Sequence, residues 1–427
     1  MPGDRPTLAD VQRALAKFRA SDVGIRKTPL IHSRYLSEKT RCDVFLKLEN
    51  LQTTGSYKVR GAYNMLTELK DAERGSGIIT ASAGNHAQGV AFAAHALGMT
   101  RTTHIVMAEN ASRQKLSRTA KYGVNIDQYG SSYDEAKKHA EERSRKERLT
   151  YVPAFDHWDV ITGQGTVALE ILEDCPSPAA IIVPVGGGGL MAGCVIATEQ
   201  RDPKVRIIGV EATDAAPFAF SFTKKKRMQL PQPARTLADG IQVREPGEHT
   251  WEVIRSLGQE SIVTVADRFI AVAMNQLAEY DQLIAEGAGA AGVAALLTGR
   301  ISGFSKKDAV VLVISGGNIE TRVYQHIVNY ALHPPSVLFE FRLMIADTPG
   351  HLVNVLAPLW KKGINVVSVD VLRWHPGSLR NVSDSLIAVV VEMPEKMSSE
   401  EVVAIMAAEN YHVQPVPAFV DAEPTDQ

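Results

Sequence analysis

Cysteine is scarce in this chain: Cys42, Cys175 and Cys194 are the three among 427 residues. They are odd in number and far apart, so they suggest neither a disulfide framework nor a metal-ligand pattern, which fits a reducing compartment. An excess of charge is missing too, since 46 basic and 48 acidic residues leave a net charge of −2. That balance offers no electrostatic footprint for nucleic acid. The longest basic run, Lys224-Lys225-Lys226-Arg227, reads as a solvated loop. No apolar stretch reaches the roughly 18 residues of a membrane helix, so no membrane span is expected. Met1-Pro2-Gly3-Asp4-Arg5 lacks the apolar segment of a secretory signal, which makes the cytoplasm the expected location. The large domain shows no internal repeat, and no segment is of low complexity.

What remains is a globular composition, 45% hydrophobic and 22% charged, in a chain too long for one core. Short apolar runs at 44–49, 77–81, 104–108, 124–126, 150–152, 180–185, 205–210 and 309–314 read as strands. Helical patterns stand between several of them, over 84–97, 112–122, 133–148, 166–173 and 191–198. Such alternation predicts an α/β fold with a parallel sheet covered on both faces and ligands at the strand C-termini. The stretch 217–247, rich in Pro, Lys and Arg, reads as a mobile loop. His333-Pro334-Pro335-Ser336 reads as a stiff linker, dividing a domain of residues 1–333 from one of residues 334–427. Beyond it the pattern is βαββαβ, a small α+β ferredoxin-like unit.

The chemistry concentrates at turns. Thr54-Gly55-Ser56-Tyr57-Lys58-Val59-Arg60-Gly61 joins a strand to a helix. A lysine there is either an ordinary exposed charge or an amine whose pKa is lowered by burial for Schiff-base chemistry. Three further turns each follow a strand: Ser82-Ala83-Gly84-Asn85-His86, Gly186-Gly187-Gly188-Gly189-Leu190 and Ser315-Gly316-Gly317-Asn318. The four glycines suit either a tight turn or a phosphate grip at a helix start, and match neither G-x-G-x-x-G nor Walker A. His86 is either a cap or a base, and Glu286 either a dipole partner or an acid beside the site.

Together these segments resemble the fold-type II pyridoxal-phosphate enzymes, and within them the threonine dehydratases, over residues 5–330. The resemblance implies a two-lobed catalytic domain of the tryptophan synthase β type with pyridoxal 5'-phosphate on Lys58. It implies a phosphate cradle at Gly186, Gly187, Gly188, Gly189 and Leu190, and Ser315 at the pyridine nitrogen. Asn85 would face the cofactor, while Ser82, Ala83, Gly84, Asn85, His86 and Gln164 would hold the substrate carboxylate. Phe155-Asp156 and Gly163-Gln164-Gly165-Thr166 match the same pattern. Lys58 and Ser315 are the expected catalytic pair, converting L-threonine, and also L-serine, to a 2-oxoacid and ammonia. A neutral Ser315 hydroxyl favours elimination over transamination. Serine racemases carry a second serine where this chain has Ala83, which argues against racemisation. Cysteine synthases have a different asparagine loop, and a non-catalytic amino-acid sensor would not need Lys58. Glu211 resembles a cation ligand of some relatives, but Ala215, Ala216 and Pro217 stand where a second carboxylate is expected. No divalent metal is therefore expected, and a monovalent ion stays open. Residues 334–427 resemble an ACT regulatory domain, its turn at Asp347-Thr348-Pro349-Gly350-His351-Leu352. That likeness implies isoleucine or valine as effector in a biosynthetic enzyme, with a plain dimerisation module as the alternative. A homodimer or homotetramer is expected.

Overall fold

The computed structural model describes residues 4–332, 338–372, 384–394 and 397–416. The chain forms two compact units, Met1–Ile327 and Val328–Gln427. The predicted linker at 333–336 lies outside the described residues.

The first unit holds two sheets. The larger runs Leu30–His32, Asp43–Lys47, Ala309–Val313, Ala180–Pro184, Arg206–Ala212, Ile262–Val265 in spatial order. Its strands are parallel except for the antiparallel pair at the Leu30 edge. The smaller sheet is all parallel, in the order Asn125–Gln128, Thr103–Met107, Ile78–Ala81, Thr150–Tyr151. Alternation of side chains sends Val310, Leu312, Ile182 and Ile208 into one apolar core. It sends Val311, Val313, Ile181 and Ile207 into a second core on the other face. Burying each such side chain is worth about 1.5–3 kcal/mol, so a strand of this kind has no stable place at a surface. The α/β fold with parallel sheets follows as expected.

Helices flank the sheets, and sequence-local caps start some of them: the Ser112 and Ser132 hydroxyls each accept an N–H three residues on, at 3.3 Å. Four helices meet through backbone rather than side chains. Asn85–Ala96 touches Lys58–Glu68 at Gly89, where a Cβ would lie 3.1 Å from the Lys58 carbonyl. Lys58–Glu68 meets Trp158–Asp174 where a Cβ on Gly163 would lie 2.6 Å from the Gly61 Cα. Trp158–Asp174 meets Gly189–Thr198 where one on Gly165 would lie 2.6 Å from the Gly193 carbonyl oxygen.

Three expectations need correction. The stretch read as a loop from residue 217 begins with the helix Pro217–Thr223, built on buried Phe218 and Ser221. The helix expected over 166–173 starts at Trp158, because Gly163 and Gly165 serve close helix contacts and do not break it. The last strand, expected from residue 411, is Gln414–Pro415.

The second unit is an antiparallel sheet in the spatial order Asn365–Leu372, Asp384–Glu392, Leu338–Ala346, Gln414–Pro415. The helices His351–Lys361 and Ser399–Ala408 bury Val355, Leu359, Val402 and Met406 against Phe341, Leu343, Ile387 and Val389. Among the described residues, no helix is long and apolar enough to cross a membrane.

Candidate active site

Lys58 opens the helix Lys58–Glu68, and its turn is fixed from outside. Gly55 sits at φ +74°, a conformation that favours glycine, and Gly317 N–H donates to the Gly55 carbonyl at 2.9 Å. Tyr57 N–H donates to the Ser315 carbonyl at 3.1 Å, so the Lys58 and Ser315 turns are tied backbone to backbone. Lys58 Nζ donates to the Ala154 carbonyl at 2.8 Å. Burial pushes its pKa down to about 8, with the Glu286 carboxylate pulling the other way. The residue as a whole is half-buried, while burial around its amine destabilises the cation.

The second turn follows Ile78–Ala81. Ser82 Oγ accepts the Gly84 N–H at 3.2 Å, and a Cβ on Gly84 would meet nothing within 4 Å, so this face looks onto open space. The helix Asn85–Ala96 starts here without a side-chain cap. The N–H groups of Ala83, Asn85, His86 and Ala87 find no acceptor among the described residues. His86 is 3% exposed; its Nε2–H donates to the Val152 carbonyl at 3.1 Å and its Nδ1 has no partner. Burial first, and the Lys58 charge second, push its pKa down to about 3. His86 is therefore a neutral imidazole with a free acceptor and cannot act as a cationic acid near neutral pH.

The glycine turn follows the buried strand Ala180–Pro184. Residues 186–191 are all buried, yet their six backbone N–H groups find no acceptor among the described residues. Buried N–H groups are nearly always paired, so six in succession mark the place of an anion. The helix Gly189–Thr198 has no acidic residue in its first turn and adds its positive end. The tight packing is equally real. A Cβ on Gly186 would lie 2.9 Å from the Ile241 Cα, and one on Gly187 would overlap the Phe155 ring. Asp156 takes the N–H groups of Glu248, His249 and Thr250 at 2.7, 2.9 and 3.3 Å, and Thr250 Oγ1 in turn donates to the Gly187 carbonyl at 2.6 Å.

Glu286 and Asn318 complete the frame. Asn85 Nδ2 donates to Glu286 at 2.6 Å, Asn318 Nδ2 donates to Asn85 Oδ1 at 2.8 Å, and Asn318 N–H reaches Glu286 at 3.2 Å. Burial, then Asp239, push the Glu286 carboxyl up to about 7, against those hydrogen bonds and Lys115. Ser315 is 3% exposed, and its hydroxyl makes no hydrogen bond to the described residues. Lys58, the asparagine turn, Ser315 and Glu286 are thus brought together.

Gln164 is tied to the Lys58 helix. It lies beneath the Lys58 helix, 1% exposed, with Oε1 accepting the Gly61 N–H at 3.2 Å. That bond serves the helix start through Oε1, while Nε2 is buried with no partner among the described residues and leaves a donor unclaimed. Glu211, considered above as a cation ligand, is also engaged: its oxygens accept Phe218 and Ala219 N–H groups at 2.8 and 2.9 Å, capping Pro217–Thr223. Among the described residues, no group of three His, Cys, Asp or Glu side chains is set to hold a metal ion. The sequence reading missed a buried cluster behind Lys58, in which Arg60 bonds Glu49 and Glu170, and Lys47 bonds Glu170. Its signal was charge inside apolar runs, Lys47 beside Phe45 and Leu46, and Glu170 between Leu169 and Ile171.

Comparison with known proteins adds to this geometry. The family described as pyridoxal-phosphate dependent enzyme matches residues 22–316. An L-threonine ammonia-lyase of Thermotoga maritima is 37% identical over 96% of this chain and 99% of that protein. An L-threonine dehydratase catabolic TdcB of Staphylococcus aureus is 41% identical over 82% of this chain and 96% of that protein. Among solved structures, the processed form of threonine deaminase isoform 2 from Solanum lycopersicum superposes with a TM-score of 0.70. It is 34% identical and covers 78% of this chain and 93% of that one.

Proposed function

The chain belongs to the pyridoxal-phosphate dependent enzymes, and from that premise we propose that it deaminates L-threonine, and L-serine as a second substrate, to a 2-oxoacid and ammonia. The described residues fit the cofactor: residues 186–191 offer six unclaimed N–H groups for a phosphate, and Lys58 offers an amine of lowered pKa for a carbonyl. When bound, pyridoxal phosphate supplies an electron sink for charge developing at the substrate α-carbon.

The protein's own groups do the rest. The N–H groups of residues 186–191 would hold the phosphate at the positive helix end. Those of residues 83 and 85–87 hold the substrate carboxylate. The Ser315 hydroxyl, left without a partner among the described residues, would be the neutral group offered to the pyridine nitrogen. Lys58, poised near pH 8, takes the α-proton as a free amine. The water lost on elimination is returned by hydrolysis, so the net change is loss of ammonia. Neutral His86 adds no positive charge beside Lys58, which would otherwise favour a different proton balance. Ala83 offers only a methyl group where a second acid or base would be required for racemisation.

The observation that carries this reading is the unpaired run of N–H groups at 186–191, whose Gly187 and Gly189 pack on Phe155, next in sequence to the Ala154 carbonyl that holds the Lys58 amine. The test is 2-oxobutanoate release from threonine by wild type and by Lys58→Ala. Loss of the lysine base is expected to lower the rate by at least roughly 10²–10⁴-fold. Undiminished ketoacid release by Lys58→Ala would reject the reading.

For the second unit, we propose an ACT-like regulatory role, with isoleucine or valine as effector and a biosynthetic setting. Supporting it is the turn before His351–Lys361, where Gly350 at φ +85° opens a helix start with no side-chain cap, an arrangement suited to a carboxylate. Residues 334–427 would form this domain, and residues 1–333 the catalytic one, in a homodimer or homotetramer. Threonine saturation curves of the full chain should shift when isoleucine or valine is added. Superimposable curves would reject allosteric control and favour the dimerisation role and a catabolic setting.

A further inference from the structure

Behind the Lys58 helix, four charged side chains meet with 0–2% of their surface exposed. Arg60 forks onto two carboxylates: Nε and Nη2 donate to Glu49 at 2.8 Å each, and Nη1 and Nη2 donate to Glu170 at 2.7 and 2.9 Å. Lys47 Nζ donates to Glu170 and to the Thr28 carbonyl, both at 2.7 Å, and Thr28 Oγ1 donates to Glu49 at 2.5 Å. Two cations and two carboxylates leave the cluster neutral, and every carboxylate oxygen has a partner. Burial pushes the Glu170 carboxyl up, but Arg60 and Lys47 outweigh it and keep it ionised.

Stability does not explain such a cluster, because apolar packing of the same volume is often as good or better. A fully satisfied network instead fixes orientation. Arg60 is two residues beyond Lys58, about 200° further round the helix, so the two side chains leave it on nearly opposite sides. Its partners come from other elements, Glu49 from the turn Glu49–Leu51 and Glu170 from Trp158–Asp174, and Lys47, which shares Glu170 with it, comes from the strand Asp43–Lys47. Lys47 also takes the Ile314 N–H at 3.0 Å on its carbonyl, one residue before Ser315. Turning the helix about its axis would break all four Arg60–carboxylate bonds together.

We propose that Arg60, with Glu49, Glu170 and Lys47, is a positioning cluster that sets the rotation of the Lys58 helix and thereby the placement of the Lys58 amine. This rests on the role assigned to Lys58 above. The cluster works through geometry and not through its field, since burial and Glu286 are what act on Lys58's ionisation. A lysine at position 60 would keep the charge but could not fork onto two carboxylates.

The experiment uses full-length holoenzyme as wild type, Arg60→Lys and Glu170→Gln. Borohydride reduction and peptide mass spectrometry measure the fraction of cofactor bonded to Lys58, alongside kcat and KM for threonine and the unfolding transition. Both variants are expected to unfold cooperatively while losing Lys58 attachment. Their kcat should fall about 10–100-fold with KM little changed, the scale of a small misplacement of a reacting group. Wild-type attachment and kcat alongside a lowered unfolding temperature would overturn the proposal and leave a purely structural cluster. If Arg60→Lys does not fold, Glu170→Gln carries the test; failure of both to fold would also overturn it. A wild type with cofactor bonded elsewhere would show that the Lys58 assignment itself is wrong, a distinct result that removes the proposal's basis.

Discussion

Replacing the proposed catalyst should make the cofactor-stripped protein more stable. Lys58 has its pKa lowered from 10.5 to about 8, chiefly by burial. That is a shift of about 2.5 units, worth about 3 kcal/mol at about 1.4 kcal/mol per unit. The sign follows from proton counting. Between pH 8 and 10.5 the unfolded chain holds a proton on Lys58 that the folded chain has released, so stability rises with pH in that window. Below pH 8 the full penalty applies; above 10.5 it is gone. Lys58→Met keeps the length and apolar stem, removes the amine and loses one bond to the Ala154 carbonyl, which returns about 1 kcal/mol. The net expectation is that Lys58→Met gains up to about 2 kcal/mol at pH 7, an upper bound because Lys58 as a whole is half-buried. Urea unfolding of the stripped proteins at pH 7 and pH 9.5 measures it, with the gain shrinking at the higher pH. A variant no more stable than wild type at pH 7, or an advantage independent of pH, would refute the reasoning.

Two other perturbations separate packing from charge. Gly188 sits at φ +92° with a Cβ position 2.6 Å from the Phe218 Cζ and 2.8 Å from the Thr250 Cβ. Gly188→Ala should therefore lose about 2–5 kcal/mol, combining left-handed strain and overpacking; urea unfolding equal to wild type would contradict it. Burial pushes the Glu211 carboxyl up to about 8, against its two backbone N–H bonds. A raised folded pKa means the folded state holds the extra proton between 4.5 and 8, so stability falls as pH rises through that window. Glu211→Gln should abolish that part of the pH dependence, and unchanged slopes in unfolding experiments from pH 5 to 8 would argue against it.

The strand-borne turns were legible in the sequence because local chemistry writes them: a β-rich apolar run, then small residues, then a helix. That is why the turns bearing Lys58, Asn85, Gly186 and Ser315 are readable between strand and helix, while the roles of these residues came from the family resemblance. What escaped was decided at long range. Pro217–Thr223 looked like a loop because its cap is the Glu211 side chain, six residues before its first residue and reached only when the strand Arg206–Ala212 is in place. Gly163 and Gly165 looked like breaks in a helix because their purpose lies on Gly61 and Gly193. The pairing of Lys47 and Arg60 escaped because nothing local shows that Glu170, over 100 residues away in sequence, lies 2.7 Å away in space. Gln164 fitted a sequence pattern, and only the fold shows that its Oε1 also serves a helix N–H in need of an acceptor.

The glycine contacts linking the helices from Asn85, Lys58, Trp158 and Gly189 act as a ruler graduated in backbone thickness. Side-chain contacts have rotamers, and a core built on them can relax by a few tenths of an ångström when one changes. Peptide against peptide has no such play. The spacing between the asparagine turn, the lysine and the phosphate turn is consequently shielded from drift elsewhere in the core. A side chain added at Gly84, where nothing lies within 4 Å, would accordingly leave the distance from the Lys58 helix to the glycine turn as it was.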